Sequence, residues 1–86
     1  MGRLEKLLRD MRNSPTTVRY DEIENLLMGA GCRVTKRGSH RTFRHPAVSD
    51  FGLTVVEAHP MKAPYVRQAL RLYNEIMEAI RNDSNR

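Results

Sequence analysis

The chain has 86 residues, 40% hydrophobic and 29% charged, which is the length of one domain and the composition of ordinary globular material. Two domains are excluded by length, and a disordered or fibrous chain by composition. Fifteen Lys and Arg against ten Asp and Glu leave a net charge of +5, with a pI near 10.0, which favours a polyanion such as nucleic acid, an acidic membrane or an acidic protein.

Residues 3–12 carry Leu4, Leu7, Leu8 and Met11 at helical spacing, so a short amphipathic helix is expected there, with a packing role. Asn13 to Thr17, with Pro15 inside, breaks it. Asp21 followed by Glu24 has the spacing of a capping box, with Tyr20 at the staple position, and predicts a second helix from about Glu22 to Met28. Gly29-Ala30-Gly31 ends it, because glycine accepts a left-handed cap without steric cost. Cys32 to Arg37 and His40 to His45 alternate with period two around Gly38-Ser39, the signature of a β-hairpin. Pro46 to Gly52 reads as a longer turn and Leu53 to Val56 as a third strand. After Pro64, Val66, Ala69, Leu70, Tyr73, Ile76, Met77 and Ile80 trace the apolar stripe of a last helix. The expected class is α+β, a three-stranded antiparallel sheet with helices on one face, forming a single domain over residues 1–86 with its core in 20–81.

The excess charge is concentrated. Between Asn25 and Tyr73 eight basic residues stand against only Asp50 and Glu57, and arginine outnumbers lysine twelve to three over the whole chain. Arginine is the better bidentate phosphate ligand. Strand alternation turns Cys32, Val34 and Phe43 toward the helices and sends Arg33, Thr35, Arg37, His40, Thr42 and Arg44 to the opposite face. That face offers guanidinium, hydroxyl and imidazole groups without a carboxylate, which suits a phosphodiester.

His40 is the sharpest candidate for chemistry. An imidazole titrates near neutrality and can take a proton from an attacking hydroxyl or give one to a leaving group. RNA supplies its own nucleophile, the 2′-OH, so its cleavage needs proton transfer and charge neutralisation but neither a metal nor a covalent residue. The competing reading, favoured by composition alone, is an exposed turn histidine without a role. His45 and His59 each precede proline; His45 points to the core side and reads as a hydrogen-bonded edge residue, while His59 ends the third strand. No C-x₂-C or H-x₃₋₅-H spacing supports a zinc site, and no cofactor is expected. Cys32 reads as a buried small hydrophobe. It is the single cysteine, which excludes an internal disulfide and suits a reducing compartment, so the expected location is the cytoplasm. The charged run Gly2-Arg3-Leu4-Glu5-Lys6 is not that of a signal peptide, Lys6 stands where a myristoylation signal wants Ser or Thr, and no stretch approaches the roughly 20 apolar residues of a membrane span. A stacking platform for single strands would need several exposed aromatics, and the hairpin has only Phe43, facing the core.

Asp21 to Leu27, Gly31, the run Gly38-Ser39-His40-Arg41-Thr42-Phe43-Arg44-His45-Pro46, Leu53-Thr54-Val55, a loop lysine and Tyr65 to Leu70 resemble the HicA family of small toxins from toxin–antitoxin pairs. The likeness covers roughly residues 20–80, and its most specific part is the Gly-Ser-His turn followed by an aromatic and His-Pro. The resemblance implies a fold like that of a double-stranded-RNA-binding domain, helix, three strands, helix, with residues 3–12 as an added N-terminal helix. It implies endonucleolytic cleavage of mRNA that halts translation, with His40 catalytic. It also implies a HicB-type antitoxin that covers the active surface and brings the complex to operator DNA. Where the family often has a second histidine after the first, this chain has Arg41.

The function expected from these residues is a metal-independent endoribonuclease with His40 as general acid or base and Arg33, Lys36, Arg37, Ser39, Thr42, Arg44 and Lys62 as RNA contacts. The alternative is a non-catalytic module that grips A-form RNA by shape. A DNA-binding regulator fits less well, because no helix pair carries clustered arginine and polar readers after a tight turn.

Overall fold

Three helices and a three-stranded antiparallel sheet make up the fold in a computed structural model that describes the backbone of residues 2–84 and all their side chains except those of residues 50, 51 and 84. The chain runs α1 (Arg3–Asn13), a single 3-10 turn (Pro15–Thr17), α2 (Tyr20–Gly29), β1 (Arg33–Arg37), β2 (His40–His45), β3 (Val48–Val56) and α3 (Ala63–Ser84). Spatial order in the sheet is β1-β2-β3, so each strand pairs with its neighbour in sequence. This is a small α+β domain.

The N-terminal helix is part of the core. Met11 is fully buried with Val18, Ile23, Leu27, Phe43, Val55, Met61, Val66, Leu72 and Ile76, and Leu7 and Leu8 pack against that cluster. On α3 the buried line is Val66, Ala69, Leu72 and Ile76, with Leu70, Tyr73 and Met77 flanking it. Leu72 thus belongs to the stripe, whereas Ile80, expected in it, is exposed.

Two boundaries differ from the sequence expectation. The second helix begins at Tyr20, two residues early, with Arg19 as its cap: the Arg19 backbone N–H donates to Glu22 Oε1 at 3.0 Å. Glu24 is thereby free of a capping role and accepts from the Tyr20 hydroxyl at 2.7 Å. The third strand begins at Val48, so the turn after β2 is only Pro46-Ala47, not residues 46–52. His45 pairs with Val48 and Arg44 with Gly52, which leaves residues 49–51 as a bulge between paired positions. A turn-like sequence is held in the strand because its two ends are both paired to β2.

Candidate functional site

The hairpin of β1 and β2 turns on Gly38-Ser39, with Gly38 at φ +55 and no positive φ at Ser39, the pattern of a turn whose first residue must be glycine. A two-residue turn sets the register: Arg33 opposite Arg44, Thr35 opposite Thr42, Arg37 opposite His40. Because side chains alternate, all six stand on the face away from the helices. Thr35, Arg37, His40, Thr42 and Arg44 line one shallow depression there, and among the described residues no carboxylate lines it. Arg33 extends the basic surface beyond the depression, across from Arg44.

The third strand completes this face. Thr54 lies opposite Thr42, and their hydroxyls are 3.1 Å apart in a hydrogen bond. Gly52 lies opposite Arg44 and leaves room for its side chain: a Cβ at Gly52 would stand 3.0 Å from Arg44 Nη1 and 3.2 Å from Cζ. The guanidinium is therefore laid across β3 because that position has no side chain. Thr54 and Gly52 are site residues beyond those singled out in the sequence. Alternation opposite the buried Leu53 and Val55 marks Thr54, while the role of Gly52 needs the pairing register.

Two of the expected RNA contacts lie elsewhere. Lys36 follows Val34 onto the helix side, where its ammonium is 3.1 Å from Glu24 Oε1. Lys62 is exposed in the loop before α3 and does not line the depression. Ser39 is exposed in the turn, and its carbonyl accepts the Glu57 backbone N–H at 2.8 Å.

The other histidines are occupied. His45 Nδ1 accepts from the Ala47 N–H at 3.0 Å, so Nε2 carries the proton and donates to the Ala30 carbonyl at 2.9 Å. This tautomer ties the start of the β2–β3 turn to the end of α2. His59 Nε2 lies 3.5 Å from Glu57 Oε2. His40, by contrast, is exposed and makes no side-chain hydrogen bond to another described residue.

A polar network lies on the opposite side of the hairpin. Arg41 reaches Glu57 at 2.8 Å and stands over the Tyr20 ring, 5.8 Å from its centroid. Burial, then the hydrogen bond to Glu24, pushes the Tyr20 hydroxyl well above its ordinary range. That same hydrogen bond, reinforced by Lys36, holds the Glu24 carboxyl below the usual carboxylate range. Burial pushes the Cys32 thiol up, so it stays protonated and inert. Among the described residues no three His, Cys, Asp or Glu side chains converge as a metal site, and no helix is long and apolar enough to cross a membrane.

Compared with family models, with curated proteins and with solved structures, the chain matches none. The chemistry of the site is therefore argued from its own atoms. Guanidinium groups from β1 and β2 can neutralise a phosphodiester, the threonine hydroxyls can donate to its oxygens, and an imidazole with both ring nitrogens available can move one proton.

Proposed function

We propose that this chain is a metal-independent endoribonuclease that acts on mRNA in the cytoplasm as a toxin of the HicA type. The observation that carries the proposal is the position of His40, at the start of β2 beside the Gly38-Ser39 turn, in a depression that it lines with Arg37, Arg44, Thr35 and Thr42 and in which no described residue places a carboxylate. In the reaction, the 2′ oxygen attacks the adjacent phosphorus and the P–O5′ bond breaks, leaving a 2′,3′-cyclic phosphate and a 5′-OH. His40 either takes the 2′-OH proton, with water protonating the departing 5′ oxygen, or protonates that oxygen, with water taking the 2′-OH proton. Arg37, Arg44 and Arg33 neutralise the charge that develops on the phosphate oxygens. Lys36 and Lys62 stand outside the depression. A fold of the double-stranded-RNA-binding kind, a HicB-type antitoxin covering this face, and contact with operator DNA through that antitoxin belong to the same reading and come from the resemblance.

The test is a gel of purified mRNA incubated with protein and a chelator. Wild type should produce new RNA ends, and His40→Ala should lose about 10²–10⁴ in rate, the range for one general acid–base group, with an unchanged circular dichroism spectrum because His40 is exposed. Expression of wild type should arrest growth and expression of His40→Ala should not. A second reading, RNA binding without cleavage, is favoured by the fact that, among the described residues, His40 is the one proton-transfer group lining the depression. It requires salt-sensitive binding and no new ends from either protein.

A further inference from the structure

We infer that Arg41 is the positioning residue of the Gly38-Ser39-His40 turn: anchored by Glu57, its guanidinium holds the turn from the helix side and so fixes where the His40 imidazole stands on the open face. The consequence for turnover rests on the reading of His40 as the proton-transfer group; the lock itself rests on geometry alone.

Arg41 alternates with His40, so it points into the protein beside Phe43 while His40 points out. Its side chain is only 14% exposed, against 68% for Arg19 and Arg81 in their ion pairs. One terminal nitrogen, Nη1, donates to the Gly38 carbonyl at 2.5 Å and to the His40 carbonyl at 3.1 Å. The other, Nη2, donates to Glu57 Oε1 at 2.8 Å. The carbonyl between those two, that of Ser39, accepts the backbone N–H of the same Glu57 at 2.8 Å. Three consecutive carbonyls of the turn are thus held by one guanidinium and the residue that anchors it.

This arrangement carries a desolvation cost. Arg41 Nε is buried without a hydrogen-bond partner, the one such side-chain atom among the described residues. A guanidinium kept dry and incompletely bonded next to a glycine turn is explained by what its other donors hold. Gly38 has a positive φ and would leave the hairpin tip free to sample other conformations. Lysine cannot replace the arginine, because one ammonium cannot span two turn carbonyls and a carboxylate with the reach of a planar fork. Tyr20 closes the pocket from α2, and His59 meets the far oxygen of Glu57 at 3.5 Å.

The test uses Arg41→Lys, the near-isosteric Glu57→Gln and their double variant in the full chain, with Ile76→Val on α3 as a buried and remote control for lost stability. Backbone ¹⁵N relaxation reads the lock: order parameters at Ser39 and His40 should fall from about 0.85 toward 0.6 in both single variants and stay high in Ile76→Val. Turnover of RNA reads its consequence. kcat should fall about 10- to 100-fold, the effect of a displacement near 1 Å, while KM changes little, and the double variant should be no worse than the poorer single one. If Arg41→Lys does not fold, Glu57→Gln carries both measurements. Wild-type order parameters and wild-type kcat in a folded variant overturn the inference. If neither wild type nor His40→Ala cleaves RNA, the reading of the site fails, and the order parameters still decide the lock.

Discussion

Replacing Gly31 by alanine tests the junction between α2 and the sheet. Gly31 has φ +103, and a Cβ built there would lie 2.9 Å from His45 Nε2. Two penalties add. A side chain in that backbone region costs about 1–3 kcal/mol. The ring must also move, which weakens the hydrogen bonds from Nε2 to Ala30 and from Ala47 to Nδ1, each with a net value of about 0.5–1.5 kcal/mol. Alanine recovers about 0.4–1 kcal/mol by restricting the unfolded chain. The net loss is roughly 2–4 kcal/mol, and at about 4–8 °C per kcal/mol for a domain of this size the melting temperature should fall by about 10 °C or more. Thermal unfolding followed by circular dichroism measures it. A double-mutant cycle with His45→Ala isolates the collision, because trimming the ring leaves only the backbone penalty. The coupling should be about 1 kcal/mol or more. A loss below about 1 kcal/mol, or a cycle additive within about 0.3 kcal/mol, refutes the reasoning.

Gly52→Ala should leave the melting temperature nearly unchanged, since the atoms it meets are the far end of the Arg44 side chain, but it lifts that guanidinium off the sheet. RNA affinity, read by fluorescence anisotropy at fixed salt, should weaken by about tenfold at most, the value of a charge-assisted hydrogen bond near 1.5 kcal/mol; unchanged binding alongside a weakened Arg44→Ala would refute the placement. Glu24 has a depressed pKa in the folded chain, chiefly through the Tyr20 hydroxyl. Its contribution is therefore present above the unfolded carboxyl pKa and lost as pH falls from about 5 through the folded value. Glu24→Gln should flatten the acid limb of the melting temperature, and an unaltered limb in that variant would count against the Tyr20–Glu24 bond.

Local signals in the chain were strong wherever a residue type admits one backbone solution. Gly38-Ser39 between two alternating runs determined the hairpin and its register, and register determined that Arg33, Thr35, Arg37, His40, Thr42 and Arg44 share a face. The buried Cys32 and Phe43 follow from the same period. The same alternation places Lys36 on the face opposite His40, where it meets Glu24. The strand start at Val48 was not legible, because it hangs on a partner distant in sequence, the β2 pairing that keeps residues 48–52 in the sheet. The helix start at Tyr20 is set locally by Arg19 and Glu22, and arginine is not a residue type that signals a cap.

Pattern and composition by themselves therefore determined the elements, the polarity of the sheet and the basic face that carries His40. Only tertiary structure decided that the N-terminal helix enters the core through Met11, that Gly52 makes room for Arg44, and that Arg41 reaches under the turn to Glu57. The physical reason is range. Periodicity and turn chemistry act between residues a few positions apart, whereas a guanidinium meeting a carboxylate sixteen residues away, or a missing Cβ beneath a cross-strand side chain, exists only once the strands are aligned.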